Sequence, residues 1–213
     1  MAKKLPIAVL ISGTGRTLKN LIDRIEAGKL DVEIRLVVSS SKSAPGLQYA
    51  EQNRIPVAVV QSSEFVGKQE FSAAVFDACR KAQVEYVAMA GYLKLLEIPE
   101  DFDNKVLNIH PSLLPKFGGE GFYGRRVHHA VLAAEPKETK SGATVHFVNN
   151  VYDDGPRIMQ MEVEVKEDDT IESLSDRVLQ EAEFELYPIV LQAFAEGRVK
   201  KNAKGEYYVE NAK

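Results

Sequence analysis

Short apolar runs alternate with amphipathic stretches along the first half of the chain. An apolar run without polar alternation predicts a strand buried on both faces, as in a parallel sheet covered by helices. Runs of this kind predict strands at residues 7–11, 34–38, 56–60 and 86–90. Apolar residues at helical spacing predict helices between them, at residues 18–28, 46–53 and 71–82. The repetition predicts an α/β fold of the Rossmann-like, doubly wound class, built on a mostly parallel central sheet.

The second half of the chain has a different order of predicted strands and helices. Further strands are predicted at residues 106–110, 144–148 and 158–165, with a helix at residues 125–132. The last two of these strands are separated by a turn, and we expect an antiparallel C-terminal portion of the sheet. A long helix is predicted at residues 171–195, kinked near Pro188 because proline interrupts helical hydrogen bonding. Alternation at residues 206–209 predicts a small hairpin in the tail.

The strand at residues 106–110 places two polar side chains on one face. Because strand side chains alternate, Asn108 and His110 point to the side opposite Leu107 and Ile109. Pro111 ends the strand and starts a rigid turn. An amide can stabilise a developing oxyanion and an imidazole can carry a proton near neutral pH, which together suit a reaction at a carbonyl. The alternative is a structural polar pair, since most buried polar groups are simply hydrogen-bonded.

A glycine turn between the first strand and the first helix predicts an anion site. Gly13 and Gly15 allow close approach of the backbone, the helix N-terminus offers free amides, and Arg16 adds positive charge. The alternative is a plain tight turn capped by Thr14 or Thr17.

Two other nucleotide motifs are disfavoured. The third glycine of a dinucleotide fingerprint is replaced by Leu18, and the second strand lacks an acidic residue at its end. NAD binding is therefore not expected, although Lys42 leaves NADP open. The chain also lacks a phosphate-binding loop of the nucleotide hydrolases.

Composition narrows the class of protein. The 213 residues are enough for one sizeable domain, and 45% hydrophobic with 27% charged residues is typical of a globular protein. No apolar run approaches the length of a membrane span, so a cytoplasmic protein without a membrane partner is expected. A net charge of −4 argues against a nucleic-acid partner. The single Cys79 excludes an internal disulfide and is expected in the core.

Other polar residues allow both a structural and a chemical interpretation. His128 and His129 are adjacent on a predicted helix and point in divergent directions, so we expect surface or supporting histidines and no metal site. Asp153 and Asp154 lie in a turn, where Asp is common for backbone reasons. A carboxylate at a strand end can also meet a histidine across the sheet.

Six motifs occur in a fixed order along the chain. They are Ser12-Gly13-Thr14-Gly15, Ala90-Gly91-Tyr92-Leu93-Lys94-Leu95-Leu96, Asn108-Ile109-His110-Pro111-Ser112-Leu113-Leu114-Pro115, Gly121-Phe122-Tyr123-Gly124, Thr144-Val145-His146-Phe147-Val148 and Asp153-Asp154-Gly155-Pro156. Together they resemble the phosphoribosylglycinamide formyltransferase family, the folate-dependent formyltransferases of purine synthesis. The resemblance covers nearly the whole chain, and the Asn-Ile-His-Pro-Ser-Leu-Leu-Pro block is highly specific to folate formyltransferases.

The resemblance implies transfer of a formyl group from 10-formyltetrahydrofolate to the amine of N1-(5-phosphoribosyl)glycinamide, with Asn108, His110 and Asp153 as catalytic residues. Asn108 is implied to donate to the oxyanion of a tetrahedral intermediate. His110 is implied to act as an imidazolium that protonates the leaving nitrogen. Asp153 is implied to orient His110, to raise its pKa and to position a water. No metal is implied.

The same resemblance implies the binding residues. The nucleotide is assigned to Gly13, Gly15, Arg16, Thr17 and Glu183, and the folate to Lys68, Leu93, Lys94, Leu95, Leu96 and Asn108. Many members have Ser-Asn in place of Arg16-Thr17, often Arg at Lys68 and Lys94, and His at Phe184. Since lysine lacks the bidentate fork of arginine, we expect altered contacts to the folate tail.

The resemblance also suggests a domain plan and leaves alternatives. A single formyltransferase domain is expected at residues 1–213, with a nucleotide-binding half at 1–100, a catalytic and folate-binding half at 101–195 and a tail at 196–213. The methionyl-tRNA enzyme and the formyltetrahydrofolate deformylase carry additional domains that are not expected here. The alternatives are a formyltransferase for another amine, such as an amino sugar nucleotide, and a non-catalytic nucleotide-binding protein. Small-molecule substrates and a monomer or weak homodimer are expected.

Overall fold

The computed structural model describes residues 4–211. Residues 1–3 and 212–213, which belong to the predicted domain at 1–213 and the predicted tail at 196–213, lie outside the described part. The chain divides into two compact units, one ending at Asn108 and the other beginning at Ile109. The division of labour predicted for residues 1–100 and 101–195 stays a prediction.

The first unit alternates strands and helices as the apolar runs predict. Its elements are β1 (Leu5–Ile11), α1 (Arg16–Glu26), β2 (Val32–Ser39), α2 (Leu47–Gln52), β3 (Val57–Val59), α3 (Lys68–Lys81), β4 (Tyr86–Met89) and β5 (Val106–His110), whose last two residues belong to the second unit. Neighbouring strands are parallel throughout, with β1 paired to both β2 and β4. Every residue of β1 is buried, as its unbroken apolar run predicts.

The second unit continues with α4 (Arg125–Leu132), β6 (Lys140–Phe147), β7 (Arg157–Glu164), α5 (Ile171–Arg177), α6 (Phe184–Ala195), β8 (Val199–Lys201) and β9 (Tyr207–Val209). The β6 and β7 strands are antiparallel, and so are β8 and β9, which form the small hairpin predicted in the tail. The hairpin is anchored by an aromatic contact, since the rings of Tyr207 and Phe147 lie 4.6 Å apart between centroids.

The main sheet has seven strands in the order β3-β2-β1-β4-β5-β6-β7. Five of the strands run parallel, and the antiparallel pair comes from the C-terminal part of the chain. The predicted fold class is therefore confirmed. The strands that follow β1 lie first on one side of it (β2, β3) and then on the other (β4, β5). In doubly wound sheets, ligands bind beyond the carboxyl ends of the strands at such a switch point.

The predicted long helix at residues 171–195 is wrong in one respect. The helix is interrupted by a π-helical turn at Val178–Glu183, between α5 and α6. Pro188, where the kink is predicted, lies inside α6 as its fifth residue. Proline has no backbone N–H to donate, and at position 188 this lies close to the start of α6. The hydrogen-bonding pattern has already changed in the π-helical turn, so the helix becomes irregular before Pro188 is reached.

Cys79 is fully buried in α3, as predicted. Burial raises the pKa of its thiol to about 12, which makes it an inert core residue. Within residues 4–211, no helix is long and apolar enough to cross a membrane.

Candidate active site

The turn that follows β5 is held by buried hydrogen bonds. The hydroxyl of Thr144 on β6 donates to the carbonyl of Ser112 at 2.6 Å and accepts from the amide of Leu114 at 3.0 Å. The Ser112 hydroxyl donates to the carbonyl of Lys116 at 2.7 Å. These bonds replace the ladder that Pro111 ends, so the predicted rigid turn after His110 is present.

His110 is almost completely buried at the end of β5. Its Nε2 lies 2.8 Å from the carbonyl oxygen of Phe117. Asn108 is two residues earlier on the same strand and is half-buried. Strand alternation therefore puts the two polar side chains on one face, as the sequence predicts.

Asp153 meets His110 within the second unit. Its Oδ2 lies 3.4 Å from Nδ1 of His110 and accepts a hydrogen bond from the amide of Gly119 at 2.9 Å. Asp153 has a φ of 53°, a left-handed conformation that is uncommon outside glycine. Two residues that the resemblance names as catalytic thus lie in contact with little exposure to solvent, whereas Asp154, the next residue, is exposed.

His146 is a further member of this cluster that the sequence did not single out. Its Nε2 lies 3.6 Å from Oδ1 of Asp153, and its Nδ1 lies 2.8 Å from the carbonyl oxygen of Phe147. The motif at residues 144–148 contains His146, and the alternation of β6 puts it on the same face as Thr144. The alternation along β6 is the sequence signal that could have indicated His146, but it does not identify the carboxylate that the histidine contacts.

The protonation of the pair differs from the expectation. Burial lowers the pKa of His110, and the charge of Asp153 and the contact with Phe117 offset only part of that effect. The predicted effect of Asp153 on the pKa of His110 therefore has the right sign. The lowered pKa favours neutral His110 before the reaction, and its role as an imidazolium during catalysis stays a prediction. Burial raises the pKa of Asp153, yet His146, His110 and the Gly119 amide together hold it below its usual value. Near pH 7 the pair is a neutral imidazole beside an ionised carboxylate.

His128 is also buried, which agrees with a supporting rather than a surface position, while His129 is exposed. Nδ1 of His128 has no hydrogen-bond partner among the described residues. Burial lowers its pKa to about 4, and repulsion by His110 adds to that effect. A neutral imidazole is therefore built into α4.

This depressed pKa predicts acid sensitivity of the fold. Between about pH 6.5 and about pH 4 the unfolded chain protonates His128 and the folded chain does not, so the free energy of unfolding falls as the pH is lowered through that window. The stabilisation is complete above the unfolded pKa of 6.5. Urea unfolding at several pH values, compared with His128→Gln, measures the effect. Equal pH dependence in both proteins would contradict it.

The predicted phosphate loop lies in the first unit. Gly15 has a φ of 69° and directly precedes α1, whose first turn carries no side-chain cap and no acidic residue. A Cβ at Gly15 would stand 2.7 Å from the Cα of Gly46, and the amide of Gly46 donates to the carbonyl of Gly13 at 3.0 Å. The close contact between the two loops therefore requires glycine at position 15, whether or not a ligand is bound. Arg16 is exposed, and Thr17 is buried.

The hydroxyl of Ser12 links this loop to its neighbours. It lies 2.7 Å from the Ser40 hydroxyl and accepts from the amide of Leu93 at 2.9 Å. The loops after β1, β2 and β4 are thereby connected, and Leu93 and Lys94 are exposed beside them. Leu95 is half-buried and Leu96 is only 1% exposed, so Leu96 offers almost no surface to a ligand.

Lys68 and Glu183 lie at helix boundaries. Lys68 is the first residue of α3, and its Nζ lies 3.4 Å from Oε1 of Glu97. Glu183 is the last residue of the π-helical turn in the second unit, and π-turns are frequent at functional sites. In the described part of the chain, no cluster of His, Cys, Asp and Glu is placed to hold a metal ion.

Comparison with known proteins agrees with the fold. The formyl transferase family model matches residues 5–191. The chain is 39% identical over 208 residues to the chloroplastic phosphoribosylglycinamide formyltransferase of Arabidopsis thaliana, covering 96% of this chain and 70% of that protein. It is 38% identical over 196 residues to the phosphoribosylglycinamide formyltransferase of Haemophilus influenzae, covering 91% and 89%.

A solved structure is similar over nearly its whole length. The glycinamide ribonucleotide transformylase 1 of Symbiobacterium toebii matches with a TM-score of 0.89 and 33% identity, covering 99% of this chain and 96% of that one. Fold and site together define a doubly wound α/β protein with a buried histidine–aspartate pair at a strand end. The chain belongs to the formyl transferase family.

Proposed function

We propose that the protein transfers the formyl group of 10-formyltetrahydrofolate to the amine of N1-(5-phosphoribosyl)glycinamide, a step of de novo purine biosynthesis. The observation that carries the proposal is the buried contact of 3.4 Å between His110 and Asp153, at the end of the strand that also bears Asn108. The names of the relatives at 38–39% identity support the substrate assignment.

The reaction needs an oxyanion donor and a carrier for one proton. The amine attacks the formyl carbon, a tetrahedral intermediate forms, and the bond from that carbon to N10 then breaks. The proton that the amine loses ends on N10. Asn108 donates its side-chain amide to the oxyanion of the intermediate. His110, neutral near pH 7, takes up the proton and returns it to the leaving nitrogen.

Asp153 makes this exchange possible at a buried imidazole. A histidine without a counter-charge would be a poor base, because burial disfavours its protonated form. The ionised carboxylate of Asp153 offsets that cost at the moment when His110 carries the proton. The pair therefore accepts a proton transiently and has no stable imidazolium before the reaction.

Two groups of residues are assigned to the substrates. We place the acceptor's phosphate at the uncapped N-terminus of α1, beside Gly13, Gly15, Arg16 and Thr17, and its sugar at Glu183. The folate is assigned to Leu93, Lys94, Leu95, Leu96 and Asn108, with Lys68 at its carboxylate tail. The exposed lysines support an anionic tail, although Lys68 must exchange its contact with Glu97 for one with the ligand.

We propose a cytoplasmic monomer or weak homodimer that acts on small molecules and has no nucleic-acid partner. The net charge of −4 supports the last point.

A formyl-transfer assay tests the function directly. Turnover of 10-formyltetrahydrofolate is followed spectrophotometrically with N1-(5-phosphoribosyl)glycinamide and, in parallel, with an amino sugar nucleotide. We expect turnover with the first acceptor alone. Arg16, Thr17 and Phe184 depart from the pattern of many family members and leave an amino sugar nucleotide as the alternative acceptor. Turnover with that acceptor alone would show that it, and not N1-(5-phosphoribosyl)glycinamide, is the substrate. Folate binding without turnover on either acceptor would contradict the proposal.

A further inference from the structure

One short backbone segment contacts both members of the catalytic pair. The carbonyl oxygen of Phe117 lies 2.8 Å from Nε2 of His110, and the amide of Gly119 donates to Oδ2 of Asp153 at 2.9 Å. We infer that the segment Phe117–Gly119 is the positioning element of the pair, which selects the tautomer of His110 and holds Asp153 against its Nδ1. The inference deepens the proposed formyl transfer and rests on it.

The contact with Phe117 determines where the hydrogen of neutral His110 is. A carbonyl oxygen can only accept, so Nε2 must carry the hydrogen. A neutral imidazole has one N–H, which leaves the lone pair on Nδ1. That atom is the one that lies 3.4 Å from Oδ2 of Asp153. A proton taken up by the pair therefore arrives on Nδ1, between the imidazole and the carboxylate.

The contact with Gly119 determines where the carboxylate is. Asp153 has the left-handed φ of 53°, which a turn residue keeps only when its surroundings hold it. The Gly119 amide supplies a hydrogen bond to a charged acceptor, which is stronger than one between neutral groups. Without that bond, rotation of the Asp153 side chain moves its charge away from Nδ1.

The close packing of the segment supports this role. A Cβ at Gly118 would stand 2.3 Å from Cδ2 of Leu114 and 3.3 Å from Cβ of Asp153. A side chain at position 118 would therefore require the tip of Leu114 and the side chain of Asp153 to shift. Besides each other, the titratable groups that interact with His110 or Asp153 in the described part of the chain include His146 on β6 and His128 on α4.

Two glycines of the same loop form a matched test pair. Gly119 and Gly121 have φ values of 95° and 88°, and an added Cβ meets no atom within 4 Å at either position. Alanine thus imposes similar backbone strain at both. Only Gly119 has its amide on Asp153, so Gly119→Ala disturbs the bond to Asp153 and Gly121→Ala serves as the control.

Nitrogen-15 NMR of the histidine rings reads the positioning without any turnover. The chain has four histidines, and His110→Gln identifies the signals of His110. In the wild type we expect neutral His110 to carry its hydrogen on Nε2. In Gly119→Ala we expect the pKa of His110 to fall further, because the charge of Asp153 moves away, while Gly121→Ala keeps the wild-type value.

The formyl-transfer rate is measured on the same proteins. Displacement of a catalytic group by about 1 Å can cost about 10²-fold, so kcat of Gly119→Ala should fall by about 10- to 100-fold relative to Gly121→Ala. A hydrogen on Nδ1 in the wild type would overturn the inference, even if Gly119→Ala fails to fold. Equal pKa and kcat in the two variants would overturn it as well. The expected NMR pattern in a wild type that lacks formyl transfer would support the positioning and reject the proposed function.

Discussion

Asn108→Ala is expected to lower kcat for formyl transfer by about 10²- to 10³-fold, an effect larger than the one on KM for the folate. Removal of one oxyanion donor typically has an effect of this size, because the hydrogen bond is strongest when the oxygen carries the developing charge. Asn108 is half-buried on β5, so a donor there is partly shielded from water. Steady-state kinetics with both substrates measures kcat and KM separately.

A second substitution separates loss of the donor from loss of packing. Asn108→Asp keeps the size of the side chain, removes the amide and places a negative charge near the oxyanion. We expect kcat to fall at least as far as in Asn108→Ala, while the melting temperature is used to check the fold. A rate near that of the wild type in either variant would remove Asn108 from the chemistry.

Asp153→Asn is expected to lower kcat by at least about 10²-fold, the lower range for loss of acid–base catalysis. The amide has almost the same shape, but it lacks the charge that offsets the burial of protonated His110. Without that charge the pKa of His110 falls further, so less proton transfer occurs at neutral pH. The pH profile of kcat should therefore lose the change in rate that corresponds to titration of the His110–Asp153 pair.

The neighbouring aspartate provides the control. Asp154→Asn removes the same charge one residue away, from an exposed side chain, and should leave kcat unchanged. His110→Ala should also cost at least about 10²-fold, and the double variant with Asp153→Asn should cost scarcely more, because residues that act as a unit are not additive. Fully additive effects would contradict a shared proton-carrying role.

The strands and helices were largely predictable from the chain. The run at residues 7–11 lies in β1, whose seven residues are all buried, and the alternation at 106–110 coincides with β5. These patterns reflect local rules, because strand alternation and helical spacing repeat along neighbouring residues. The long C-terminal helix was the exception. Its π-helical turn at Val178–Glu183 has no periodic signal in the sequence that would predict it.

The candidate site was predictable in its residue types and not in its geometry. Proline on both sides of the turn and the alternation of Asn108 and His110 are properties of the local sequence. The 3.4 Å contact of His110 with Asp153 joins residues 43 positions apart, and the nearby His146 has no motif of its own that points to the aspartate. Proximity between such distant positions is a property of the folded chain.

Charge and protonation show the same division. The resemblance implies that Asp153 raises the pKa of His110, and the contact between the two side chains acts in that direction. It does not indicate that burial opposes this effect and is larger, so that the pKa of His110 is lowered overall. Local patterns along the chain therefore specify the elements and the chemical groups. The protonation state and tautomer depend on desolvation and on the Phe117 and Gly119 backbone, which are set by packing among distant residues.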